Sequence, residues 1–363
     1  MKIRRFRAVN YRNLTECEIE PSKNINVIFG ENAQGKTNLI EGMYLFSGLK
    51  SFRGVKDCEL KEFTSEKAKI FLDFYSHRRE QTAEIELVNR RKSFLNGVKL
   101  SSSSELTEQV HIIVFSPDLL SIIKEGPQER RKFLDTAIAE IYPKYQETVK
   151  KYKRIIFQRG AVLKDYKNSG NLHEVLDEYD LILAKYGTSI VKTRIKYLDK
   201  IAEFLPKIYS DLTKEKEKIE VMYSGCCDGT DENELYEKIR ASREKDIATG
   251  VTNVGAHHDD ILFLINGVDT KKYGSQGQQR SCIIAMKLAE AEILREITGE
   301  RPVALLDDVM SELDAKRQDY ILNHIKDWQV FITCCDVSTV KRLKNGKVFH
   351  VENGVVSEIG KDD

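Results

Sequence analysis

The stretch Asn26-Val27-Ile28-Phe29-Gly30-Glu31-Asn32-Ala33-Gln34-Gly35-Lys36-Thr37-Asn38-Leu39-Ile40 decides the fold of this chain. It enters as a short apolar run with strand character and leaves with Leu39, Ile40, Met43 and Tyr44 at helical spacing. Between strand and helix stands a complete G-x-x-x-x-G-K-[ST] loop, Gly30 to Thr37. Its glycines let the backbone curl tightly, so that N–H groups point inward at phosphate oxygens, and the following helix adds the positive end of its dipole. On this reading Gly30, Glu31, Asn32, Ala33, Gln34, Gly35, Lys36 and Thr37 hold the phosphates of ATP. Lys36 reaches the β- and γ-phosphates, and Thr37 Oγ1 binds Mg2+.

A nucleotide loop that hydrolyses needs acids, and Val303-Ala304-Leu305-Leu306-Asp307-Asp308 supplies them. Apolar residues ending in two carboxylates describe a buried strand that delivers acids to its carboxyl edge, where open α/β sheets bind ligands. Asp307 is expected to hold Mg2+ directly or through water, and Asp308 to polarise the attacking water, which makes Lys36, Asp307 and Asp308 the expected catalytic set. Between loop and acids lies Tyr273-Gly274-Ser275-Gln276-Gly277-Gln278-Gln279-Arg280, followed by a helical pattern. Ser275, Gln276 and Gly277 stand at a helix start and can offer a hydroxyl, backbone N–H groups and a dipole to an anion; an ordinary polar helix cap is the plainer reading.

Outward from these motifs, the text divides into blocks. Ile3 to Val9 and Ile19 to Phe29 read as strands broken by Asn10 and Pro21, and the stretch from Phe63 to Phe115 is strand-rich, with an Asn96-Gly97 hairpin turn and a compact apolar run at Val110 to Phe115. From Pro127 to about Ile219 apolar residues recur on helical faces, without a sustained heptad. Strand-like and helix-like segments alternate again from Asp260.

Composition sets the remaining bounds. The 363 residues are 41% hydrophobic, enough for one large domain or a domain with a substantial insertion. A net charge of +1 announces no nucleic-acid partner by bulk charge, so such a partner would need a local basic face. Candidate clusters are Lys2/Arg4/Arg5/Arg7, Arg78/Arg79, Arg90/Arg91/Lys92 and Lys150/Lys151/Lys153/Arg154, each of which also reads as a solvated face. The seven cysteines are odd in number and lack a C-x-x-C, which argues against a disulfide framework and for a reducing, cytoplasmic setting. No run approaches the roughly 18 apolar residues of a membrane helix, so no membrane partner is expected. His257-His258-Asp259-Asp260 invites a metal reading, but in a strand successive side chains point apart.

The loop, the acids and Ser275 to Gly277 together resemble ABC-type ATPases, whose signature is usually Ser-Gly-Gly-Gln; Gln276 replaces its second residue, and Ser311-Glu312-Leu313-Asp314 resembles the D-loop of that class. The resemblance implies a head-to-tail homodimer in which the signature of one copy covers the nucleotide held by the other. A finer resemblance, to the RecF family of bacterial recombination mediators, is carried by several stretches. These are Asn10-Tyr11-Arg12-Asn13-Leu14, the loop itself, Gln276 to Arg280 and Leu305 to Asp314. Phe115-Ser116-Pro117-Asp118 with Glu125-Gly126-Pro127 and Arg130 to Asp135 is similar to a hallmark of the family. Gly255-Ala256-His257-His258-Asp259-Asp260 resembles its Gly-Pro-His-Arg-Asp-Asp and departs at Ala256 and His258.

The family resemblance implies an α/β ABC-type ATPase head, a P-loop NTPase with a mixed sheet and flanking helices, plus an inserted, mainly helical second lobe. The expected division is residues 1–115 and 246–363 for the head and 116–245 for the insertion. It implies ATP-dependent binding to double-stranded and gapped DNA, slow DNA-stimulated hydrolysis, and work with RecR and RecO in loading RecA. By the same resemblance Arg12 and Asn13 approach the nucleotide, and Thr333 falls where transporters carry a switch His. A nucleotide-regulated scaffold with little turnover is the alternative.

Overall fold

The computed structural model describes residues 1–120, 122–165, 171–214, 217–335 and 346–359. Residues 336–345 and 360–363, part of the expected head, lie outside the described residues. The chain forms two compact units: Met1–Leu120 with Asp211–Glu215 and Ile284–Asp363, and Ser121–Ser210 with Lys216–Ile283.

The first unit contains two six-stranded sheets. One is antiparallel, in the order Leu14–Ile19, Lys2–Tyr11, Ala68–Ser76, Arg79–Leu87, Arg91–Leu95, Val98–Lys99. Its central strands alternate buried and open positions, as one-sided sheets do. The other sheet runs Val355–Ile359, Gly346–Glu352, Ile25–Phe29, Val330–Cys334, Val303–Leu306, Ile112–Phe115. Its first pair is antiparallel and every other pairing is parallel. Three of these strands, Ile112–Phe115, Val303–Leu306 and Val330–Cys334, are buried at every position, which explains their apolar text, broken only by Thr333.

Parallel pairing has a positional consequence. Cys334 pairs with Phe29 and Leu306 with Ile332, so the strands ending at Phe29, Leu306 and Cys334 deliver their next residues to one sheet edge. Gly30, Asp307 and Cys335 begin there.

The second unit is mainly helical. Helices Pro127–Ile141 and Pro143–Lys164 each open on a proline in the first turn, where the missing N–H costs nothing. Helix Leu172–Thr213 and the shorter Glu232–Ala241 and Arg243–Thr249 follow. A small antiparallel sheet orders Val268–Asp269, Asp260–Ile265 and Ile219–Ser224.

Four particulars differ from the sequence reading. Residues 246–283, expected with the head, cluster with the second unit, because Asp260–Ile265 pairs along its whole length with Ile219–Ser224. Asn10 does not end its strand, which runs on to Tyr11 with Asn10 at φ 53°. Leu14–Ile19 is a strand of its own, hidden in sequence by its glutamates. His257 and His258 precede the strand rather than lying in it.

Candidate functional site

The glycines of the phosphate loop are required by close approach. Gly30 has φ 154° and a Cβ there would lie 2.2 Å from the Val351 carbonyl oxygen; Gly35 has φ 119° and a Cβ would meet Asn13 Oδ1 at 2.8 Å. Gly35 then caps helix Lys36–Tyr44. The loop is braced from outside. Asn13 Nδ2 donates to the Gln34 carbonyl at 2.9 Å, and Gly354 N–H donates to the same oxygen at 3.0 Å. Asn353 N–H donates to Gln34 Oε1 at 2.6 Å. The hairpin Gly346–Ile359 therefore fixes the loop's backbone, a role that nothing in its own residues announces.

Lys36 is 4% exposed, and its ammonium donates to the carbonyls of Gly30 (2.7 Å) and Glu31 (2.9 Å). Cys335 Sγ lies 3.8 Å from that ammonium and 3.1 Å from Asn32 Oδ1. Thr37 Oγ1 donates to Asp307 Oδ1 at 3.0 Å, so the two expected Mg2+ ligands are in contact. Burial pushes the Asp307 carboxyl above its ordinary value, opposed by hydrogen bonds from Thr333 and Thr37. A hydroxyl and a carboxylate side by side are the hard oxygen donors that Mg2+ takes, and a divalent charge would offset the burial that acts against the carboxylate; the residues fit the ion.

Asp308 sits at φ 51°, a left-handed conformation that aspartate tolerates better than most residues. Its N–H donates to Thr333 Oγ1 at 2.8 Å, and its carbonyl accepts Ser311 Oγ at 2.7 Å. Thr333 lies inside the strand Val330–Cys334. Asp314, the last residue of the D-loop-like run, caps helix Ala315–His324 by accepting from Arg317 N–H.

Arg12 has a partner that the sequence reading did not name. Glu41, wholly buried on the loop helix, takes Arg12 Nε at 3.1 Å and Nη2 at 3.2 Å, and also accepts from Tyr11 (3.3 Å) and Ser51 hydroxyls. A fork-on-carboxylate pair of this kind holds the guanidinium in one orientation. Asn13 joins the same helix, its Oδ1 accepting from Asn38 Nδ2 at 2.8 Å. The signals for Glu41 were a charged residue on an apolar helical face and its spacing from Thr37.

In the second unit, Ser275 is exposed at the start of helix Gln276–Thr298. Its Oγ accepts Gln278 N–H at 3.1 Å while its own N–H donates to Gln278 Oε1 at 2.8 Å, a reciprocal cap. Gln278 Nε2 also donates to Glu217 at 2.8 Å. Gln276 is exposed and Gly277 partly so.

The hallmark stretches meet each other. Arg130 clamps Asp260 with two bonds, 2.7 and 2.6 Å, and Arg131 donates to the Asp259 carbonyl at 2.5 Å. Both His257 and His258 rings bond the Thr252 carbonyl at 3.0 Å, and Tyr152 lies 2.9 Å from His257 Nδ1. Burial lowers the His257 imidazole to about 4. Among the described residues no cluster of three His, Cys, Asp or Glu side chains is arranged to hold a metal. The seven cysteines are free.

Of the basic clusters, the first is largely committed to acids: Arg4 to Glu80, Arg5 to Asp73 and Arg7 to Glu16. Arg91 pairs with Asp57 and Lys92 with Glu86. On helix Pro143–Lys164, Lys150, Lys151 and Lys153 with Arg154 form a basic stretch open to solvent. No described helix is long and apolar enough to cross a membrane.

A phosphate loop at the edge of a mixed sheet, a strand ending in paired acids, and a second, helical unit bearing a capped signature define an ATPase head of the ABC and SMC type. The model of the RecF/RecN/SMC N-terminal domain matches residues 2–357. The DNA replication and repair protein RecF of Clostridium kluyveri is 42% identical over 365 residues, covering 99% of this chain and 100% of that one. A solved structure of the recombination mediator protein RecF with ATP, in the RecFOR pathway, superposes with a TM-score of 0.90 at 35% identity, covering 99% and 98% of the two chains. The Smc head domain of Pyrococcus furiosus shares the fold, with a TM-score of 0.55 at 14% identity over 99% and 96% of the chains. The chain belongs to the RecF family of DNA replication and repair proteins.

Proposed function

We propose that this chain is an ATP-gated, DNA-binding homodimer of recombinational repair and a weak, DNA-stimulated ATPase. The observation that carries the reading is the contact of Thr37 with Asp307 at the mouth of a braced phosphate loop. The loop N–H groups and Lys36 bind the phosphates, for which Lys36 leaves the carbonyls of Gly30 and Glu31. Thr37 and Asp307 would hold Mg2+, which would supply positive charge against the phosphate oxygens. Asp308 orients the attacking water and accepts its proton. Arg12, held by Glu41, and Asn13 flank the nucleotide.

The exposed helix start at Ser275, Gln276 and Gly277 supports a second half-site. Presented by another copy of the chain, its hydroxyl, N–H groups and helix dipole would close over the γ-phosphate, so that ATP favours the dimer and hydrolysis releases it. The resemblance to RecF, and the RecFOR context of its solved relative, support action with RecO and RecR at double-stranded and gapped DNA, aiding the loading of RecA.

Sedimentation with and without ATP tests this reading: a dimer is expected only with ATP, and a monomer at saturating ATP would defeat it. Asp308→Asn should trap the dimer; rapid turnover by that variant would remove Asp308 from its role. Duplex and gapped DNA binding at two salt concentrations is expected to depend on ATP and to weaken with salt.

A further inference from the structure

We propose that Thr333 is the positioning residue of the hydrolytic site, its one hydroxyl setting both acids of the Asp307–Asp308 pair. The inference rests on the roles given above to those acids. Thr333 is wholly buried in the strand neighbouring Val303–Leu306, and the parallel pairing of Leu306 with Ile332 brings it beside the point where the acids leave the sheet.

A hydroxyl carries one proton, so its two bonds are of different kinds. Oγ1 donates to Asp307 Oδ1 at 2.9 Å and accepts Asp308 N–H at 2.8 Å. Both functions are filled by adjacent residues, which fixes the rotation of the hydroxyl. Asp307 Oδ1 then takes two donors, Thr333 and Thr37, and these hold the plane of the carboxylate. When Thr37 turns to another ligand, Thr333 still holds that oxygen from the sheet side.

The second bond acts on the backbone. Asp308 adopts a left-handed φ of 51°, which a side-chain-bearing residue enters only with support. Thr333 ties its N–H and Ser311 its carbonyl, so the direction of the Asp308 side chain is set from both sides. The loop bonds of Lys36 and Gln34 do not involve Thr333. Its action is therefore on the acids and not on the phosphate cradle.

Thr333→Val removes the hydroxyl at constant shape, Thr333→Ala removes hydroxyl and methyl, and Thr333→Ser keeps the hydroxyl. The first readout is hydrogen exchange without nucleotide. The Asp308 amide is expected to exchange at least about tenfold faster in Val and Ala, and at the parental rate in Ser, while Leu305 stays protected. The second is a Mg2+ titration of ATP turnover, with ATP binding measured separately in EDTA. Val and Ala should need about tenfold more Mg2+ for half-maximal turnover, Ser should recover the parental requirement, and binding in EDTA should be unchanged.

An unshifted Mg2+ requirement in Val would overturn the role. So would a Ser variant as impaired as Val, since packing and not the hydroxyl would then matter. Should Val fail to fold, Ala against Ser decides the same question. Parental turnover that ignores Mg2+ would instead overturn the reading of Thr37 and Asp307 itself.

Discussion

In the first unit, polar groups gather at the carboxyl edge of a parallel sheet, where a ligand can reach them; in the second, charges are sunk among helices and matched to one another. Lys36 and Thr37 bond to neighbours that a nucleotide and its cation could displace. Arg159, by contrast, is wholly buried and bonded to Asp180 at 2.7 Å, to Asp246 at 2.7 Å and to Thr252 at 2.9 Å. Arg243 completes the cluster through Asp180 and Asp177. Arg194 repeats the theme with Asp135 and the Ala256 carbonyl. Buried ions must be paired, and removing one partner leaves the other uncompensated. The sheet edge of the first unit thus leaves polar groups within a ligand's reach, while the Arg159 and Arg194 clusters of the second tie its helices to one another.

Substitutions in the two units should therefore fail differently. Asp246→Ala leaves Arg159 buried with one fewer carboxylate and is expected to cost about 3–5 kcal/mol of stability. Chemical denaturation checks this, and ATP affinity in the folded protein should stay at the parental value. A loss below about 1 kcal/mol would mean that the cluster is wetter than its geometry implies. Lys36→Ala should do the reverse, weakening ATP binding about 100-fold, or roughly 2.8 kcal/mol, with little change in denaturation midpoint. If that variant unfolds easily, the loop is structural and the contrast breaks.

Acid should strain both units through buried imidazoles. Burial lowers His111 in the first unit and His257 in the second, each to about 4. Their unfolded forms protonate near 6.5, so the stabilisation is full above that pH and is lost as pH falls from 6.5 towards 4. Between about pH 7 and pH 5 the loss at His111, which is 4% exposed, is on the order of 2 kcal/mol. His111→Gln should flatten that dependence in denaturation midpoints; an unchanged slope would mean His111 is not the titrating group. Asp260 acts in the same direction. Burial works to raise its carboxyl, but bonds from Arg130 and the Ile261 N–H outweigh this and hold it below the usual value. Its stabilisation is present above the ordinary carboxylate range and disappears as pH falls through the lowered value.

The smallest expected effect is on the surface of helix Pro143–Lys164. Replacing Lys150 and Lys151 by Ala should lower DNA affinity similarly for all sequences, and reduce the salt slope by about 1 for each phosphate that a lysine had neutralised. An unaltered slope would assign DNA binding to another face.

The sequence told most where the determining residues are neighbours in the chain. Gly30 to Thr37 reads as a phosphate loop because backbone curl, lysine and hydroxyl all lie within one turn, and Leu305-Leu306-Asp307-Asp308 reads as a strand end for the same reason. Partners far apart in sequence leave no such trace. Glu41 meets Arg12 across 29 residues, Thr333 meets Asp307 across 26, and Asp246 meets Arg159 across 87. The alternating text of residues 246–283 points to the head, but pairing with Ile219–Ser224 decides their unit.

By itself, then, the sequence determined that a glycine-bounded loop of phosphate-loop pattern joins strand to helix at Gly30 to Thr37 and that two acids end a buried strand, since local backbone and hydrophobic pattern suffice for both. Only the tertiary structure decided which side chains orient those acids and which ions are buried. Such bonds require strands and helices to be laid side by side, and their energy depends on the burial that this packing creates.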